Sequence, residues 1–283
     1  MRGVVLCLSG WLCAGMLCAQ QVPADWLKSA RAGDTSAILK VAEAYLLGIE
    51  GPFRPDSAGI WLKPLAEKAA HPEAAYLYGN LLLRGAPRVS RDIPAGIRLL
   101  EKSAQQGNIS AIQVLSDVYR GKDLNPAFPD PVLASSKNYV ALFKTVNRGA
   151  ELNDAQSACW LGVCYAEGWG TTRNDSLAIR YIASSARRQF PLGQMLLADA
   201  YLRGNYRCTP DLDSARWYYT RLQQNPKATL EEQSAGLEGN LLCDRVYNQV
   251  WNTIWYTTGF WEDWLYELQV WKVRKEDRIV KRY

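Results

Sequence analysis

Catalysis needs side chains that titrate, attack or hold a metal, and this chain offers few of them at workable spacing. It has a single histidine, His71, in "AAHPEAA". Any Ser/His/Asp or Cys/His constellation would depend on that one imidazole, and its place directly before Pro72 reads as a turn residue. Cys159 and Cys164 stand five apart, roughly 140° around a helix, so they do not bridge each other. They read as small apolar fillers of a buried helix. Glu231 and Glu232 follow Thr229, and Thr229 with Glu232 forms a capping box, which makes this acidic pair a solvated helix start. The chain carries no Gly-x-Ser-x-Gly, no phosphate-cradling glycine loop and no paired-cysteine metal spacing. A hydrolase using two acids from separate helices is the least supported alternative. The expectation is a non-enzyme without cofactor or metal.

Aromatic side chains are the other resource. Ten of the eleven tryptophans follow Ala19, and aromatic rings stack on sugars, which keeps an envelope glycan such as peptidoglycan as an alternative ligand. Trp61 and Trp217 read as packing residues at one shared helix position. Trp169, between Gly168 and Gly170, is a candidate partner contact that could equally pack on a neighbouring unit.

The N-terminus sets the compartment. Met1-Arg2 is followed by the apolar "GVVLCLSGWLCAGML" and a small residue at Ala19, the composition of a signal peptide cleaved before Gln20. Export, periplasmic or secreted, is therefore expected. Cys18 follows Leu17, whereas a lipidation signal wants a smaller residue there. Removal of residues 1–19 leaves Cys159, Cys164, Cys208 and Cys243, too few for a disulfide scaffold. Cys208 and Cys243 are the candidates for one bridge. The formal charge is +5. Arg2 leaves with the leader, and the tail from Lys272 holds an excess of four, so the rest is formally neutral. That profile does not suit nucleic acid, and no further long apolar run predicts a membrane span.

The elements that would position these residues come from a repeat. A glycine recurs after an apolar run at Gly48, Gly85, Gly121, Gly168 and Gly204, spaced 37, 36, 47 and 36 residues apart. A tyrosine precedes four of them, Tyr45, Tyr119, Tyr165 and Tyr201, and these predict equivalent packing positions. One interval holds an insertion of about ten residues around "DLNPAFPDPV". After each glycine a second helix is predicted from an aspartate, at Asp56, Asp92, Asp130, Asp175 and Asp211, with Asp130-Pro131 read as cap and first helical residue. One helix pair cannot bury its own apolar face, so neighbours must stack. The prediction is an all-α superhelical solenoid of about five pairs, residues 24–224.

"WLGVCYAEGWG" with "NDSLAIRYIASSA", and "DIPAGIRLLEKSAQQGN", resemble the Sel-one-like repeat, a tetratricopeptide-related α/α unit, over about 200 residues. Departures are Gly96 in place of the usual alanine and "YRG" in the third unit. The resemblance implies a non-catalytic scaffold that binds a protein or peptide partner on the concave face of a right-handed superhelix.

Residues 225–283 form a tryptophan-rich end with a basic tail. Val246, Val250 and Ile254 share a helical face. Trp261, Trp264, Leu265, Leu268 and Trp271 return to helical spacing after Gly259, so a helical hairpin is predicted. It either caps the last repeat or docks a partner, which makes Trp261 and Trp264 candidate contacts.

Overall fold

The computed structural model describes residues 21–68, 71–122 and 137–254. Twelve α-helices make up its regular structure: α1 Ala24–Arg31, α2 Thr35–Leu47, α3 Pro55–Glu67, α4 Pro72–Arg84, α5 Ile93–Gln105, α6 Ile109–Tyr119, α7 Tyr139–Glu151, α8 Ala155–Glu167, α9 Asp175–Arg187, α10 Pro191–Arg203, α11 Leu212–Gln223 and α12 Leu230–Ile254. Each helix packs on its sequence neighbour. The solenoid is therefore five pairs, α2/α3 to α10/α11, with α1 before them and α12 after. One hydrophobic cluster runs from Leu83 through Leu115, Leu142 and Leu161 to Leu222, so neighbouring units share their core. No described helix is long and apolar enough to cross a membrane.

Side-chain caps start most helices. Asp34, His71, Asn108 and Asp154 cap the first helices of four units, and Asp92, Asn138, Asn174 and Asp211 the second helices of four. His71 thus has a backbone role, its Nδ1 accepting from the Ala74 N–H at 3.4 Å. The expected aspartate start holds in unit four, where Asp175 is the first helical residue behind the cap Asn174. It is one residue late in unit one, where the helix begins at Pro55 and Asp56 lies in the first turn after Arg54, and it needs correction in unit three. The second helix of unit three begins not at Asp130 but at Tyr139 behind Asn138. The Asp-Pro pair is the stronger local signal, yet the register of the stack selects the asparagine. Asp130 itself lies outside the described residues.

A backbone clamp repeats in all five units. The N–H of Arg54, Asp92, Asn138, Asn174 and Asp211 donates to the carbonyl of Tyr45, Leu82, Tyr119, Tyr165 and Tyr201 at 2.9, 3.0, 2.9, 2.8 and 2.8 Å. Those acceptors all stand eleven positions past the residue before the first helix (Asp34 to Tyr45, His71 to Leu82, Asn108 to Tyr119, Asp154 to Tyr165, Phe190 to Tyr201). The tyrosines share one place in the repeat although Gly121 comes a residue early. Gly48, Gly168 and Gly204 are left-handed C-caps. Gly85 has positive φ but an extended ψ, and Gly121 follows the cap Arg120.

The predicted first arm of the C-terminal hairpin is the end of a longer element, α12, which starts at the Thr229–Glu232 capping box. Gly236, Gly239, Cys243 and Val246 form its buried face. A Cβ on Gly239 would stand 2.3 Å from the Tyr219 ring, and one on Gly236 2.8 Å from the Tyr219 carbonyl, so the two glycines allow α12 to lie directly on α11. Trp261 and Trp264, like the leader, fall outside the described residues.

Candidate functional site

Inside each pair the clamp residue of the first helix faces the position seven past the N-cap of the second (Arg54 to Trp61, Asp92 to Leu99, Asn138 to Thr145, Asn174 to Tyr181, Asp211 to Tyr218). Aromatic rings fill this seam in three units. Tyr45 and Trp61 both pack against the buried clusters of the first unit. Tyr165 stacks on Tyr181 at 5.8 Å, and Tyr201 on Tyr218 at 6.0 Å. Unit two has Leu82 and Leu99 at the equivalent positions.

Unit three has Thr145 there, too small to meet a ring. Its seam is a recess of about 400 Å³ between α5, α6 and α7. Ala104, Ile112, Leu115, Tyr119 and Ala141 give it an apolar lining, while Glu101, Gln105, Lys144 and Arg148 stand at its edge. Tyr119 turns to α5 and donates from its hydroxyl to Glu101 Oε1 at 2.6 Å. Burial, reinforced by that carboxylate, holds the phenol well above its ordinary pKa, so it stays a neutral donor. Arg148 also meets Glu151 at 3.4 Å, with both side chains about half exposed. The recess offers shape and apolar surface; among the described residues no group of three His, Cys, Asp or Glu is placed to hold a metal.

Beside it lies a feature that charge patterning alone did not reveal. Arg120, from the departing "YRG", is buried with its guanidinium carbon 3.5 Å from the Trp160 ring centroid. It pairs with Asp117 and donates from Nε to the Ser116 carbonyl at 3.2 Å. Desolvation pulls the guanidinium below its usual value, with Asp117 opposing.

Of the four clamp tyrosines only Tyr119 is fully buried; Tyr45, Tyr165 and Tyr201 are half-buried at the seam. Trp169 is half-buried too, stacked at 4.6 Å on Tyr139 of the preceding unit. Gly170 permits that contact, since a Cβ there would stand 2.2 Å from the Tyr139 carbonyl. The expected equivalence of Trp61 and Trp217 is off by one residue. Tyr218 holds the seam position, while Trp217 is 51% exposed, edge-on to Tyr218 with Arg221 over its ring at 4.6 Å.

The Cys208–Cys243 bridge is not formed. Both are free thiols, because Cys243 points into the buried α10–α11–α12 seam while Cys208 sits half-buried after the turn Asn205–Arg207. Cys159 and Cys164 are fully buried, and burial pushes both thiols up to about 12. A raised acid favours the fold in its neutral form. Their contribution is complete below the ordinary thiol value of 9.0 and is lost as pH climbs from there toward about 12. Iodoacetamide at pH 8 should modify native Cys208 first and leave Cys159 and Cys164 intact until denaturant is added. Rapid native labelling of Cys159 would contradict this packing.

The Sel1 repeat family matches residues 72–108, 155–190 and 191–222, which are units two, four and five. Among solved structures, the chain is similar to a Sel1 repeat protein from Oxalobacter formigenes, with a TM-score of 0.58 and 19% identity over 72% of this chain and 84% of that one. It is similar also to c5321, a protective antigen of uropathogenic Escherichia coli strains displaying an SLR fold, with a TM-score of 0.61 and 22% identity. That alignment covers 88% of this chain and 56% of the antigen. At such identities the likeness is one of fold. No curated protein matches the chain.

Proposed function

We propose that this chain, an α/α solenoid with Sel1 repeats at residues 72–108, 155–190 and 191–222, is an exported, non-catalytic scaffold that holds a protein partner. Sel1 repeats generally serve as protein-interaction scaffolds. The single observation that carries the reading here is the unit-three recess between α5, α6 and α7, with an apolar floor and a polar margin, at the seam where units four and five pair two rings. Concave, apolar surface with a few polar groups at its margin is what a binding site needs. Export rests on the leader composition.

The test places a photo-crosslinking residue at position 144, on the margin of the recess, and at position 63, on α3. Irradiation of native envelopes should give one dominant protein adduct from position 144 and none from 63. Equal adducts from both positions, or none from 144, would reject the site. Mass spectrometry of the mature protein should find Gln20 first; an intact Met1 or a lipidated Cys18 would reject export by this route.

A further inference from the structure

We propose that the unit-three recess is a socket for one aromatic side chain of the partner, carried on a peptide with a carboxylate beside it. This rests on the partner-binding reading above and specifies the ligand that reading leaves open.

The repeat itself defines the missing group. Where the clamp residue is a tyrosine, the facing position holds Trp61, Tyr181 or Tyr218, and only in unit three is it a residue without a ring, Thr145. Tyr165–Tyr181 and Tyr201–Tyr218 show what the seam accepts: a near-parallel ring, with interplanar angles of 7° and 13°. In unit three Tyr119 is buried on the α5 side of the recess that Thr145 also lines, its hydroxyl already spent on Glu101. The entering group therefore lies over the buried Ile112, Leu115 and Ala104 and against the half-buried Ala141 and Thr145, and need not satisfy that phenol. An aromatic anchor in such a pocket is the usual energetic centre of an interface.

Charge orients the peptide. The α7 margin carries Lys144 and Arg148, one helical turn apart and both exposed. The α5 margin carries Gln105 and Glu101, whose carboxylate accepts from Tyr119. Glu151 competes for Arg148 across an exposed pair, a contact worth little in water. A carboxylate flanking the aromatic residue thus finds its cation on the α7 side, which contributes direction and association rate more than raw affinity.

The experiment uses the full chain and fluorescein-labelled peptides with a central tryptophan flanked by aspartates. Controls carry a central alanine, or lysines in place of the aspartates. Fluorescence anisotropy at low salt should show saturable binding of the first peptide, weakened roughly tenfold or more by either control. Thr145→Tyr restores the repeat's own ring and should abolish binding with little change in melting temperature. Should that variant misfold, Lys144→Glu with Arg148→Glu, both on the surface, should selectively weaken the aspartate-flanked peptide. Unchanged binding by Thr145→Tyr would overturn the socket. So would binding of the chain only to itself, seen as a dimer that Thr145→Tyr dissolves, since the occupant would then be a second copy. A partner adduct at position 144 that persists in a folded Thr145→Tyr variant would sink the socket while leaving the scaffold reading intact.

Discussion

A chain ending at Leu222 is expected to aggregate or to lose several kcal/mol of stability. Deleting α12 uncovers Tyr219, Ala215 and Leu202, which are buried in one cluster with Cys243. The Tyr219 ring alone represents roughly 3–5 kcal/mol, the range for losing the burial of a large aromatic side chain. Its hydroxyl donates to Asp199, which also pairs with Arg203 at 3.3 Å, so water would reach a charged cluster now sealed from it. An uncapped solenoid also leaves its last apolar face open. Sedimentation velocity and urea unfolding read the result. Gly239→Val in the full chain should move stability the same way, because the new side chain must displace the Tyr219 ring. If the shortened chain stays monomeric and melts like the parent but no longer binds its partner, α12 is a docking element and not a cap.

Trp160→Ala should cost about 3–5 kcal/mol, among the largest losses for a single substitution within the repeats. The ring is buried in the shared core, and removing it opens a void. It also takes away the aromatic face beneath the buried Arg120 guanidinium. Trp160→Phe, which keeps a ring, should cost clearly less. A double-mutant cycle with Arg120→Met should give a coupling of roughly 0.5–3 kcal/mol, as contacting residues do. A loss below about 1 kcal/mol for Trp160→Ala would mean that the core closes over the gap and that the pair matters little.

The helix pairs were legible because glycine and the capping residues recur at a fixed interval, and a periodic signal survives errors in any single unit. What failed were decisions between adjacent residues. Trp217 looked like the seam residue because tryptophan is the larger ring, yet the register counted from Asp211 places Tyr218 there. Asp130-Pro131 misled in the same way: its local strength as a cap hid the register that starts the helix behind Asn138. Burial of Arg120 was hidden because a charged residue is expected outside, whereas the Trp160 face, Asp117 and the Ser116 carbonyl make the interior tolerable. The recess was the least visible, since its signal is a ring that unit three lacks. The start of α12 was legible in the Thr229–Glu232 capping box; what the sequence did not show is that Gly236 and Gly239 within that helix are contact surface for α11.

The clamp has a consequence for how such a chain can be lengthened. Its donor and acceptor lie nine positions apart in units one and four, ten in units two and five, and nineteen in unit three, yet the bond length is the same within 0.2 Å. The stack does not register how much sequence is spliced between those two anchor points. Doubling a flexible excursion costs only about 0.6 kcal/mol in closure entropy, and the backbone bond that sets the second helix re-forms regardless. Each unit therefore carries a graft site at the same edge of the molecule, where an epitope, a tag or a whole recognition peptide can be inserted while the helices keep their phase.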